Sequence, residues 1–157
     1  MTQARAHTVS ADQHGMYHCV TRCVRRAWLC GVDPLTGQDH GARKPMIVNR
    51  IRELGEIFAV AVYAYAVMSN HLHVVLSVEP ELARDWTDSE VADRWGRLFP
   101  LSDSERQDAR RERLVAMAGM YRKRLCDLSW FMKCLDEYVA RRANAEDGVK
   151  GRFWEGR

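Results

Sequence analysis

The stretch IFAVAVYAYAVMSNHLHVVLSV, Ile57–Val78, decides the fold. From Ile57 to Met68 it is rich in Val, Tyr and Ala with no breaker, and Leu72 to Val78 is a second run of β-favouring residues. Ser69-Asn70 between them suits a tight turn, so the spacing predicts an antiparallel hairpin. Side chains alternate across a strand, so His71 and His73 leave one face while Leu72, Val74, Leu76 and Val78 line the other. The second row is uniformly apolar, as a sheet face covered by helices should be, and this turns the imidazoles toward an open groove. Residues two apart on a strand are about 6.6 Å apart at Cα, close enough for two imidazoles to converge on one ion. Two histidines on a half-exposed strand can equally be satisfied by water, and a cupin-type metal site would need an all-β barrel, which the helical periods elsewhere oppose.

Upstream, Ile47, Val48, Ile51, Leu54 and Phe58 recur at three- and four-residue steps and predict a helix from Lys44 to Phe58. Residues 31–42 (GVDPLTGQDHGA) are turn-forming throughout and read as a loop. Tyr17 to Leu29 reads as a strand entering a basic turn, and residues 1–15 as a loose polar arm before a domain over 16–157. Downstream, Pro80 opens a segment with two capping-box spacings, Thr87-x-x-Glu90 and Ser102-x-x-Glu105, anchored by Trp86, Trp95 and Phe99. Glu105 to about Leu125 predicts one long charged helix. In the last helix Leu128, Phe131, Met132, Leu135, Val139 and Arg142 share one stripe, with Trp130 opposite. Residues 144–151 then form a turn, and no internal repeat is visible.

At 157 residues and 46% hydrophobic content, one domain with its own core is expected. The sequence has no apolar run of transmembrane length and no secretory leader, so a cytoplasmic protein without a membrane partner is expected. Five cysteines are an odd number and argue against a disulfide framework; Cys19 and Cys23 read as buried small residues rather than a zinc pair. The net charge of +3 is concentrated at the two ends, while residues 56–100 are acidic on balance. A polyanion would suit such ends, but so would solvated helix faces.

Four segments in this order resemble those of the HUH-type single-tyrosine transposases, and most closely the REP-associated branch: Tyr17-His18-Cys19-Val20-Thr21-Arg22, Tyr65 through His73, Leu128-Ser129-Trp130-Phe131-Met132-Lys133, and Gly151-Arg152-Phe153-Trp154-Glu155-Gly156-Arg157. Residues 79–125 match poorly and read as a helical insertion. The resemblance implies an α+β, ferredoxin-like antiparallel sheet with helices packed on one face. It also implies action on single-stranded or hairpin DNA, and a magnesium or manganese ion held by the His-hydrophobic-His pair. Such an ion would offset the charge that builds on a phosphate during phosphodiester transfer, and a tyrosine would attack to leave a 5′-phosphotyrosyl link that keeps the energy of the cut bond.

For the third metal ligand the resemblance offers His18, whose alternative is a hydrogen-bonded sheet histidine. Arg22, Arg25 and Arg26 are phosphate-contact candidates beside solvated charge. Arg122, Lys123, Arg124, Arg141, Arg142 and Arg152, with Trp130 as a stacking platform, are candidates for gripping a strand. In the REP-associated branch the tyrosine follows the Trp-Glu-Gly-Arg segment, at which this sequence stops, so a truncated chain lacking the nucleophile is expected. Tyr138 is the substitute candidate, with half-buried packing as its alternative; Tyr17, Tyr63, Tyr65 and Tyr121 read as structural. The resemblance also brings homodimerisation and nucleoid association into view. Two further readings stay open: a non-catalytic DNA-binding remnant or domesticated relative, and a metal-binding domain unrelated to DNA.

Overall fold

The computed structural model describes residues 15–24, 27–100 and 105–156. Residues 1–14 of the expected arm, Arg25, Arg26 and the cap at Ser102 lie outside them, and Gly15, read as the end of the arm, opens the first strand instead.

Three strands, β1 (Gly15–Arg22), β2 (Val60–Val67) and β3 (His71–Val78), form an antiparallel sheet in the order β1-β3-β2. The helix α1 (Arg43–Ile57) connects β1 to β2, which run parallel to one another with β3 inserted between them. This is the split βαβ arrangement of ferredoxin-like folds. The histidine strand is therefore central. Its Leu72, Val74, Leu76 and Val78 are buried among Ile47, Ile51 and Leu54 of α1 and Phe131, Leu135 and Val139 of α6 (Leu128–Glu146), forming the α+β core. Burying each such side chain contributes about 1.5–3 kcal/mol. Phe58 and Phe131 meet edge to face at 5.5 Å. Asp127 caps α6, its carboxylate accepting from the Ser129 N–H at 2.6 Å.

β1 ends at Arg22, which pairs with His71, the first residue of β3, and beyond it the chain meets the C-terminal segment. Cys23 bridges antiparallel to Trp154, the Val24 N–H donates to the Phe153 carbonyl at 2.9 Å and the Glu155 N–H to the Arg22 carbonyl at 2.8 Å. The tail is thus held against the end of β1 by a single antiparallel bridge. Phe153 is buried, and the Trp154 indole N–H donates to the Asp136 carbonyl at 2.8 Å, so both aromatics already have partners within the fold.

Between β3 and α6 run α2 (Pro80–Arg84), α3 (Asp88–Leu98), α4 (Glu105–Ala116) and α5 (Ala118–Leu125). The expected capping box at Thr87 and Glu90 is present in both directions. Through Val91, Trp95, Leu98, Ala118 and Leu125 this helical segment joins the common core. Three expectations are corrected here. The helix over 105–125 breaks at Met117 (φ −105°, ψ 13°), beside Gly119, a weak helix former; α4 packs on α3 while α5 turns inward to bury Leu125. Phe99 is 43% exposed, and Leu98 fills the anchoring position instead. On α6 Arg142 is exposed and Ala143 takes its place in the buried stripe, while Trp130 is half-buried edge-on to Trp95 at 5.3 Å.

Arg43, only 1% exposed, is the polar centre of the core. Its guanidinium donates to the Trp28 carbonyl at 2.7 Å, to the Glu146 carboxylate at 2.6 Å, and to the Asp147 carboxylate and the Ala143 carbonyl. A buried cation needs this many acceptors to offset its lost hydration. It ties the loop before α1 to the end of α6.

Candidate metal centre

Antiparallel register decides what faces what on the uncovered side of the sheet. Val20 pairs with His73, Arg22 with His71, and His18 with Val75, so His18, Arg22, His71 and His73 all project from one face. On the other flank Ala66 pairs with His73 and Ala64 with Val75, small residues that leave the floor beside the imidazoles low. Val20, Ala64 and Ala66 are exposed and Val75 half-buried, so this face is open.

The three imidazoles are contiguous. His18 Nε2 and His73 Nδ1 are 2.8 Å apart with their rings stacked at 5.0 Å, and His71 and His73 stand at 4.8 Å with a 75° angle between rings. With metal–nitrogen bonds of about 2.1 Å, two ring centres sharing one ion would stand roughly 5 Å apart, and those of His71 and His73 are 4.8 Å apart. His18, the resemblance's third-ligand candidate, stands on the same face with its Nε2 directed at His73 Nδ1. The donors present are imidazole nitrogens, which favour a transition ion such as manganese over magnesium. Desolvation among these neighbours, then the charges of His71, His18 and Arg22, hold the His73 imidazole below the usual histidine range. A neutral ring keeps its lone pair for a ligand.

The turn carrying His71 is braced. The Leu29 and Cys30 N–H groups donate to the Ser69 carbonyl at 2.7 and 3.3 Å, and the Cys23 N–H to the Asn70 carbonyl at 2.8 Å. Asn70 Oδ1 lies 2.7 Å from His71 Nδ1. In the sequence Asn70 reads only as a turn former, and its position directly before the first histidine is the signal for this contact. At the far end of the same strand the Ser77 hydroxyl donates to Glu79 and lies 3.3 Å from the Tyr63 hydroxyl.

The remaining candidates are dispersed. Tyr138 belongs to the helical layer, its ring 4.8 Å from the Arg50 guanidinium and 5.6 Å from that of Arg142; the sheet separates this layer from the imidazoles. Arg122 is a structural clamp, donating to the Ala83 and Trp86 carbonyls at 2.6 Å each and to Asp88 at 2.8 Å. Arg124 and Lys133 each lie 4.6 Å from the centre of the Trp130 ring, and Arg141 pairs with Glu137 at 3.1 Å. Lys123 and Arg142 are exposed on this layer. The end of α5 meets the start of β2, where the Ala59 N–H donates to the Leu125 carbonyl at 2.9 Å. Because Val60 pairs with Val78, that end lies seven strand residues, roughly 23 Å, from His71. Arg22 and the exposed Arg152, by contrast, border the histidine end, since the tail joins β1 there.

The cysteines are free thiols; Cys19, Cys23 and Cys134 are buried, and burial pushes the Cys23 thiol up to about 12. That suits the packing role of a small buried residue. Among the described residues no helix is long and apolar enough to cross a membrane. Comparison of the chain with protein families, curated proteins and solved structures finds no match.

Proposed function

We propose that this protein binds single-stranded or hairpin DNA through a divalent ion, manganese or magnesium, held by His71 and His73, in the manner of the HUH-type transposases that its segments resemble. The observation that carries the reading is the His71–His73 pair, 4.8 Å apart on the open face of a central strand, with Arg22 in register beside it. The ion would supply charge neutralisation at a phosphate. The chain's own residues do the rest: the two imidazoles fix the phosphate's position, Arg22 and Arg152 add positive charge on the approach, and Ala64 and Ala66 leave room for a backbone.

Cleavage and transfer through a tyrosine would make the protein a transposase. Tyr138 is poorly placed for that step, on the far side of the sheet from the imidazoles, and the second reading is a metal-dependent DNA-binding protein without strand transfer. Fluorescence anisotropy of a hairpin DNA with single-stranded flanks tests the shared part. Binding should strengthen with manganese, fall with a chelator and lose its metal dependence in His71→Ala/His73→Ala. Affinity indifferent to both metal and histidines contradicts it. A covalent protein–DNA adduct lost in Tyr138→Phe would favour transfer; binding without an adduct favours the second reading.

A further inference from the structure

The hydrogen bonds beneath the two histidines have a common pattern. A neutral imidazole carries one proton, and the nitrogen that holds it can only donate while the other can only accept. His71 Nδ1 faces the Asn70 carbonyl oxygen Oδ1, an acceptor, at 2.7 Å, a hydrogen bond that forms when the proton sits on Nδ1 and Nε2 keeps its lone pair. His73 Nδ1 faces His18 Nε2 at 2.8 Å, a contact that one shared proton must make. If that proton belongs to His73, its Nε2 is bare too, and the pair presents two matching lone pairs; if it belongs to His18, His73 must carry its own proton on Nε2, where it would block an ion.

We propose that Asn70 and His18 are positioning residues that hold His71 and His73 in the same Nδ1–H tautomer, so that both Nε2 atoms are ready to ligate a divalent ion. The proposal rests on the metal reading above and gives His18 a role beneath a ligand rather than as one. Metal-bound histidines characteristically donate their other ring N–H to an acceptor, which fixes ring orientation and raises ligand basicity. The Nδ1–H form is the minor tautomer of a free imidazole in water, so an acceptor at this position selects it. The acceptor arm is itself held, because the Ser69 and Asn70 carbonyls are tied down by Leu29, Cys30 and Cys23. His18 is fixed by its ladder position on β1, opposite Val75.

Long-range proton–nitrogen NMR of the metal-free protein, labelled with 15N at histidine and held near pH 8, reads the tautomers directly. The expected spectrum shows Nδ1 protonated and Nε2 bare in both His71 and His73. Asn70→Ala should return His71 toward the Nε2–H form and Asn70→Asp, which keeps an acceptor, should not; His18→Ala should release His73 and His18→Gln should retain it. Manganese affinity should fall about 10–100-fold in each alanine variant and recover in Asn70→Asp, as for other residues beneath metal ligands. An Nε2–H form of either histidine in the unsubstituted protein, or tautomers indifferent to the alanine changes, overturns the proposal even if manganese binds. Tautomers as expected with no manganese bound at millimolar concentration uphold the hydrogen-bond assignment and overturn the metal reading instead.

Discussion

Replacing Arg43 tests how the fold supports the histidine turn. The guanidinium is buried and spends its donors on the Glu146 and Asp147 carboxylates and on the Trp28 and Ala143 carbonyls. Removing one member of a buried ion pair costs about 3–5 kcal/mol, because the charge left behind is uncompensated. Here Glu146 is 49% and Asp147 21% exposed, so water recovers part of that cost and the lower end, about 3 kcal/mol, applies to Arg43→Ala. At about 2–4 °C per kcal/mol for a chain of this size, the melting temperature should fall by roughly 6–12 °C. Trp28, whose carbonyl Arg43 holds, directly precedes Leu29, which hydrogen-bonds Ser69. The His71 environment should therefore broaden in NMR spectra well below the melting transition. Urea titration by circular dichroism measures the first effect, with Arg43→Lys, which keeps the charge but not the planar fork, falling in between. A loss below about 1 kcal/mol for Arg43→Ala would refute the reasoning by showing that the carboxylates do not depend on Arg43.

Other perturbations have signed outcomes. Thr87→Ala removes the side-chain half of the capping box on α3, the hydroxyl that accepts from the Glu90 N–H, and should cost about 1 kcal/mol by urea titration; an unchanged midpoint would contradict the cap's contribution. The Cys23 thiol, raised by burial to about 12, favours the folded state while protonated. Its contribution is full below the unfolded value near 9 and is lost as pH rises from there toward 12, and in the native protein it should resist Ellman's reagent at pH 8; labelling at the rate of a free thiol would contradict its burial. His73 is held below the ordinary histidine range, so the unfolded chain takes up its proton first as pH falls. Stability should drop on acidification through about pH 6.5, and the drop should be shallower in His73→Gln; an identical pH profile would contradict the shift.

What could be read from the sequence was local. The hairpin and α1 follow from two clean periodicities, and the alternation through His71-Leu72-His73 is enough to put both rings on one face. What could not be read depends on contacts far along the chain. Arg43 is an ordinary basic residue at a helix start until residues about a hundred positions later supply its carboxylates. His18 meets His73 only through the β1–β3 register, and the resemblance, not the local pattern, drew attention to it. β1 stops at Arg22 because its partner β3 begins at His71, and the contact of Cys23 with Trp154 beyond it is one that no window around Cys23 could reveal. The break at Met117 and the half-burial of Trp130 share a cause: both serve packing around Trp95, where Tyr121 stacks at 4.5 Å and Trp130 meets it edge-on at 5.3 Å. Helix wheels count one stripe and miss a second contact face.

Pulsed electron paramagnetic resonance of the protein with one equivalent of manganese tests the central claim most directly. The account predicts nitrogen couplings from two imidazoles, reduced to one in either His71→Ala or His73→Ala and abolished in the double variant. A manganese signal without imidazole nitrogen coupling, or one untouched by those substitutions, would contradict it.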